Sequence, residues 1–313
     1  MSSDAISKFN IQVNDGNKFN GKVVTTMYNN PGRFTLGKWP CFDKNGTTIN
    51  GGLPQLGNLT EHLNQVRKDI AIQLPDPNFS GYAVIDWEVW VPSFEILSMY
   101  PGYRIYYNRS LALAKGNATK AAIHWDEASM KFMVETLKAA QEIRPNALLG
   151  YYGMVQCTFD HASQKCENKF VTINDQWEEL WKASSCLYPE LYATCKFSGS
   201  PEACDTNSSL AIKIEARLQE AKRIQLKYTK ERDTPFVGFT WYTLDNNVCT
   251  NNVGHCPLMK NKNDLHSEFG LAKETGADGI IVWGSSGDVR NLQDCVDLGL
   301  YVEDTLGPLL EQI

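Results

Sequence analysis

The chain has 313 residues, with 36 acidic against 30 basic side chains, a formal charge of −6 and 42% hydrophobic content. That length can bury a large core, as one big α/β domain or two smaller ones, and the absence of a basic excess argues against a nucleic-acid partner. No apolar run approaches the roughly 18 residues of a membrane span, and the opening MSSDAISKFN is polar, without the apolar region of a signal peptide.

Strand-like and helix-like segments alternate along the chain. Lys22 to Tyr28 (KVVTTMY) reads as a strand. Leu59, Leu63, Val66 and Ile70 then recur at helical spacing after Asn58. Tyr82 to Ile85 is a continuous apolar run, as in a parallel-sheet strand buried on both faces. Met130, Met133, Val134, Leu137 and Ala140 mark a helix that ends near Pro145. Ala147 to Tyr152 is the next strand, and Asn174 is expected to begin a helix through Trp177 and Leu180. A short strand surrounds Leu191 and Tyr192. A long helix is striped by Ala211, Ile214, Leu218, Ala221 and Tyr228. The strand PFVGFTWY, a helix over Leu265 to Glu274, the strand GIIVW and a last helix through Leu298 complete the pattern.

Repeated strand–helix units predict a parallel sheet with helices outside it. At this length a (β/α) barrel fits better than an open doubly wound sheet, and no G-x-G-x-x-G follows an early strand. No linker or repeat divides the chain, so residues 1–313 are expected to form a single domain. Barrel active sites lie at the C-terminal ends of the strands. The residues there are Tyr28, Asp86 with Glu88, Tyr152, Tyr192, Trp241 and Trp283. In an extended segment Asp86 and Glu88 point to the same side. Two like charges so close do not both ionise easily, so one carboxyl keeps its proton to higher pH, as a general acid must. Aromatic rings around one mouth suit a sugar-binding groove, since flat apolar rings stack on pyranose faces and phenols reach the polar substituents.

Nine cysteines are present, and several sit close in pairs: Cys157 with Cys166, Cys195 with Cys204, and Cys249 with Cys256. None has C-x-x-C spacing, and the five histidines (His62, His124, His161, His255 and His266) form no spaced cluster, so no metal site or cofactor is called for. Six Asn-x-Ser/Thr sequons stand at Asn45, Asn58, Asn78, Asn108, Asn117 and Asn207. Together with disulfides they imply the secretory pathway, despite the leaderless start.

Six blocks in order carry a resemblance to a known family: MYNNPG, NGGLPQ, GYAVIDWEVWVP, GYYGMVQC, SSCLYPELY and GADGIIVWGSSGDV. The chain resembles the hyaluronidases of animals and venoms, endo-β-N-acetylhexosaminidases, over roughly residues 8 to 310. The resemblance implies a distorted (β/α) TIM-like barrel and a substrate-assisted, retaining mechanism cleaving β-1,4 bonds after N-acetylhexosamine in hyaluronan or chondroitin. It makes Glu88 the proton donor, with a raised pKa, and Asp86 its positioning partner. Tyr152 and Tyr192 are expected to hydrogen-bond the acetamido group, and Trp283 to pack beside its methyl. Tyr28 and Gln55 sit in matching blocks and are expected to line the groove, whereas Trp241 stands where the family varies. Cys157 with Cys166 matches a family loop disulfide.

Four departures accompany the resemblance. The family's first strand, and the cysteine that would partner Cys295, precede anything present here, so an open barrel is expected. Val91 replaces a family arginine. Met154, Val155 and Gln156 replace an aromatic–proline pair. Cys249 with Cys256 would be an extra loop disulfide, and Cys41 and Cys186 lack an obvious partner. The expectation is a monomeric, secreted or lysosomal enzyme with a glycosaminoglycan substrate, no nucleic-acid partner and no membrane span. Its groove is expected to be locally basic despite the overall acidity. The alternatives are a catalytically inactive glycan-binding relative and a chitinase-like barrel glycosidase.

Overall fold

The computed structural model describes residues 3–192, 209–230, 233–243, 259–260, 262–285 and 287–313. Five parallel strands organise it: β1 (Val24–Asn30), β2 (Tyr82–Asp86), β3 (Leu148–Tyr151), β4 (Val237–Trp241) and β5 (Gly279–Trp283). In register, Tyr28 lies opposite Asp86, Ile85 opposite Tyr151, and Trp241 opposite Trp283. Between β3 and β4 the described residues form no regular ladder. Single parallel bridges there join Tyr152 to Tyr188, Leu187 to Phe236 and Glu190 to Phe239. The segment expected as a short strand is therefore a bridge between two sheets, and it starts earlier than Leu191. Gly150 permits this close approach, because a Cβ there would lie 2.0 Å from the Cys186 carbonyl oxygen.

Among the described residues the strands curve into a barrel-like surface that does not close. Among the described residues β5 pairs only with β4, and the other side of β1 meets only the two-residue strand Arg33–Phe34 near its end. An open strand edge invites mispairing, and here asparagine side chains cover it. Asn14 Oδ1 accepts from Val23 N at 3.0 Å and Val24 N at 3.1 Å, and its Nδ2 donates to Val24 O at 2.8 Å. Asn20 treats Thr26 likewise, accepting from its N–H at 2.9 Å and donating to its carbonyl at 3.2 Å. Both amides imitate a neighbouring strand. The far edge stays more open, with Val282 on β5 39% exposed.

Helices α1 (Leu59–Gln73), α2 (Phe94–Met99), α3 (Arg104–Leu113), α4 (Ala118–Ile143), α5 (Asn168–Gln176), α6 (Glu178–Ala183), α7 (Ser209–Tyr228), α8 (Lys262–Thr275) and α9 (Leu292–Tyr301) surround the sheet. Local chemistry sets their ends. Asn58 caps α1 by accepting from Glu61 N at 3.1 Å, and Asn117 caps α4 by accepting from Lys120 N at 2.9 Å. Pro145 stops α4, since a proline disfavours helical geometry in the residue before it. The buried face of α4 includes Trp125, Phe132, Met133 and Leu137. Each such side chain contributes about 1.5–3 kcal/mol on burial. Asn174, expected at a helix start, lies buried inside α5. Its amide holds both backbone groups of Gln156, at 3.1 and 2.8 Å, and reaches Glu220 on α7 at 2.8 Å. The residue expected to begin a helix is instead a tertiary tie within one. No helix among the described residues is long and apolar enough to cross a membrane.

Candidate active site

Asp86 ends β2, and Trp87 and Glu88 follow in extended chain. The alternation places Trp87 on the opposite side from the two acids. Trp87 is fully buried, stacked on Trp39 at 4.6 Å between ring centroids and edge-on to Trp90 at 5.2 Å. Neighbouring indoles pin the loop. Trp90 Nε1 donates to Pro40 O at 2.7 Å, Trp125 Nε1 to Val91 O at 3.0 Å and Trp177 Nε1 to Pro92 O at 3.0 Å. A loop held on its buried side by rings cannot easily turn its acidic side away from the mouth.

Asp86 and Glu88 hydrogen-bond each other through their carboxyl groups. Burial, then the charge of Glu88, then that hydrogen bond push the Asp86 pKa up to about 8. Asp86 lies deeper in the wall, while Glu88 stands exposed at the mouth.

The two acids open into a cavity of about 370 Å³ lined by Thr26, Tyr28, Val84, Asp86, Glu88, Tyr152, Glu190, Tyr192, Phe239, Trp241, Thr243 and Trp283. Five of the six expected groove-lining side chains thus meet in one place with the acid pair. Trp241 and Trp283 pack edge to face at 4.7 Å, with Tyr192 at 6.0 and 6.3 Å from them and Tyr152 at 6.1 Å from Tyr192. Trp241 Nε1 is held by Asp288 at 2.7 Å. Trp283 Nε1 donates to Tyr28 Oη at 2.9 Å, tying β5 to β1 across the open side of the sheet. Burial raises the pKa of Tyr28, Tyr152 and Tyr192, so all three stay protonated near neutral pH. Gly153, with φ of +69°, turns the chain away directly after Tyr152.

Gln55, the sixth candidate, does not line the cavity. It lies on a 3₁₀ turn, Pro54–Leu56, where its amide donates to Ser110 Oγ on α3. A second cavity of about 230 Å³ continues the trough past Glu88, Tyr152 and Glu190 to Tyr100, Tyr103 and Gln156. A third, of about 160 Å³, reaches Arg217. Val91, where the family arginine is expected, is buried and borders the second cavity.

The expectation of a basic groove fails among the described residues. The acidic and basic side chains lining the first two cavities are Asp86, Glu88 and Glu190, all of them acids. Arg217 lines only the third. Its Nη1 donates to Glu190 O at 2.7 Å and its Nη2 to Cys157 O at 3.1 Å, and Nη1 lies 3.5 Å from Glu190 Oε1. Glu190 is a trough-lining residue absent from the sequence expectations. It stands two residues before Tyr192, so the alternation that paired Asp86 with Glu88 would also have put it in the mouth.

Cys157 and Cys166 form a disulfide, while Cys41, Cys186 and Cys295 are free thiols. Cys195, Cys204, Cys249, Cys256 and Asn207 lie outside the described residues. The sequon asparagines Asn45, Asn58, Asn78, Asn108 and Asn117 are all exposed. Among the described residues no three metal-ligating side chains converge.

Paired carboxyls beneath sugar-sized apolar rings, at the C-terminal ends of parallel strands, suit hydrolysis of a glycosidic bond. The class that the fold and site define is that of barrel glycoside hydrolases. A family model described as hyaluronidase matches residues 2–313, and the chain belongs to that family. Hyaluronidase-1 of Sus scrofa is 30% identical over 97% of this chain and 68% of its own length. The Polistes annularis hyaluronidase is 30% identical over 98% of this chain and 81% of its own. A Caenorhabditis elegans chondroitin hydrolase is 32% identical over 98% and 65%. The crystal structure of bee venom hyaluronidase in complex with a hyaluronic acid tetramer aligns over 100% of this chain and 94% of its own, with a TM-score of 0.85 and 28% identity.

Proposed function

We propose that the protein is a retaining, substrate-assisted endo-glycosidase that cleaves β-1,4 bonds after N-acetylhexosamine in hyaluronan. Chondroitin is a second substrate of the same chemistry. The observation that carries this reading is the hydrogen-bonded Asp86–Glu88 pair inside a ring-lined trough, in a chain of the hyaluronidase family. Relatives named as hyaluronidases, one named as a chondroitin hydrolase and a neighbour holding hyaluronic acid support the substrate class.

In this mechanism the acetamido carbonyl oxygen attacks C1 of the N-acetylhexosamine as the C1–O glycosidic bond breaks. Glu88, the outer carboxyl, gives its proton to the departing oxygen. An oxazolinium forms, with positive charge on its nitrogen. Asp86 supports that charge once it has passed its proton to Glu88 along their hydrogen bond. One proton thus serves both carboxyls: Asp86 stores it at rest, and developing charge draws it outward. Water then attacks C1, giving a proton back to Glu88. Two inversions leave the configuration retained. Tyr152 and Tyr192, kept protonated by burial, are suited to donate to the acetamido oxygen, and Trp283 is suited to pack on the methyl.

The exposed sequons support a secreted or lysosomal glycoprotein, and we read it as a monomer. The test is release of reducing ends from hyaluronan by the protein and by its Glu88→Gln variant. The variant is expected to lose about 10²- to 10⁴-fold, the usual contribution of a general acid. Equal rates, or no release by either, would instead favour a glycan-binding relative without catalysis.

A further inference from the structure

Glu190 has no role in that mechanism, yet it borders every part of the trough. It lines the first cavity beside Glu88 and Tyr152, the second beside Tyr103, and the third beside Arg217. Its backbone is locked to β4 through the bridge to Phe239, so its place in the mouth is set by the sheet. Its carboxylate also lies 3.5 Å from the guanidinium of Arg217, the one cation on the trough wall among the described residues. Two carbonyls hold that guanidinium in place. The side chain of Glu190 thus adds one negative charge to the trough and offsets the positive charge nearest to it.

We propose that Glu190 is a specificity-determining carboxylate that weakens the trough's hold on hyaluronan and other uronate-bearing polymers relative to neutral N-acetylhexosamine chains. The proposal rests on the reading of the trough as a glycan cleft and deepens it. A polyanion threading the trough carries a carboxylate on every second sugar, and each one near Glu190 meets a like charge. A neutral N-acetylated chain meets none. At separations near one Debye length, with the intermediate dielectric of a protein surface, one such pairing is worth a factor of about three to ten in affinity. Glu88 and Asp86 impose no comparable selection, because their proton is needed on any substrate of this chemistry.

The experiment uses the full chain carrying Glu88→Gln, so that bound oligosaccharides persist, with Glu190 intact, Glu190→Gln or Glu190→Asp. Calorimetry compares a hyaluronan hexasaccharide with an N-acetylglucosamine hexamer at low and moderate salt. Glu190→Gln is expected to tighten the hyaluronan oligomer three- to tenfold at low salt, with a smaller gain at moderate salt. The neutral hexamer is expected to change less than twofold, and Glu190→Asp to keep the discrimination. Equal gains for both oligomers, no gain for hyaluronan, or no binding of either oligomer would overturn the proposal. Failure of the proposed function reads out separately, as no hydrolysis of any polymer by the chain with Glu88 intact.

Discussion

Replacing Asp86 with Asn is expected to make the protein more stable while disabling it. The folded state keeps a proton on Asp86 up to about pH 8, whereas the unfolded chain releases it near 3.8. Because the folded pKa is raised, the native state has no handicap below 3.8. The handicap then grows as pH rises and is complete above about 8. Over that interval a fully buried carboxyl would lose about 1.4 kcal/mol per pH unit. The mouth is open to water, so we reduce the total to about 2 kcal/mol. Asn carries no such proton, and its amide can still donate to Glu88. Thermal unfolding of both proteins at pH 4, 6 and 8 tests this. The melting curves are expected to coincide at pH 4 and to separate by about 3 °C at pH 8, with Asp86→Asn the higher. A variant that melts lower at pH 8, or a gap that ignores pH, would refute the proton-sharing argument. The same variant should hydrolyse hyaluronan far more slowly, placing the instability at the site that does the chemistry.

Two further outcomes concern the scaffold. His62 is buried, accepts from Lys38 N at 3.0 Å, and has its pKa pushed down to about 4 by burial. The native state then resists protonation that the unfolded chain accepts near 6.5, so stability is full above 6.5 and falls by about 3 kcal/mol as pH drops through 4. Urea unfolding should show a shallower acid limb for His62→Gln than for the native chain. An unchanged slope would assign the acid lability to other groups. Asn14 is 4% exposed and makes four hydrogen bonds, to Phe19, Val23 and Val24. Asn14→Ala is expected to lower stability by about 2–4 kcal/mol and to promote association through the uncovered β1 edge. Unfolding and light scattering would follow both effects, and a monomeric variant of native stability would show that the edge needs no cover.

Much of this protein is legible in its sequence, because its signals are periodic. Alternation along YAVIDWE put two carboxyls on one side and Trp87 on the other, and the apolar runs marked each strand whose end carries a ring. Helical spacing located α1, α4 and α7. The short helices α2 and α3 were missed, since a few turns carry too little periodicity to distinguish from loop. Asn174 misled for a related reason: a side-chain amide that suits a helix cap suits a buried tie equally well, and only the packed partner tells which. The sequence also could not say how deep each carboxyl of the pair sits. Spacing makes Asp86 and Glu88 equivalent neighbours, and depth in the wall, a property of the folded chain alone, separates them. Nor could it assign the sign of the trough. Net charge sums over the whole surface, whereas the field in a cleft depends on the few groups whose backbones the sheet aims inward. Glu190 is one of these: alternation from Tyr192 hints at its side, and the bridge to Phe239 fixes its place in the mouth beside Glu88.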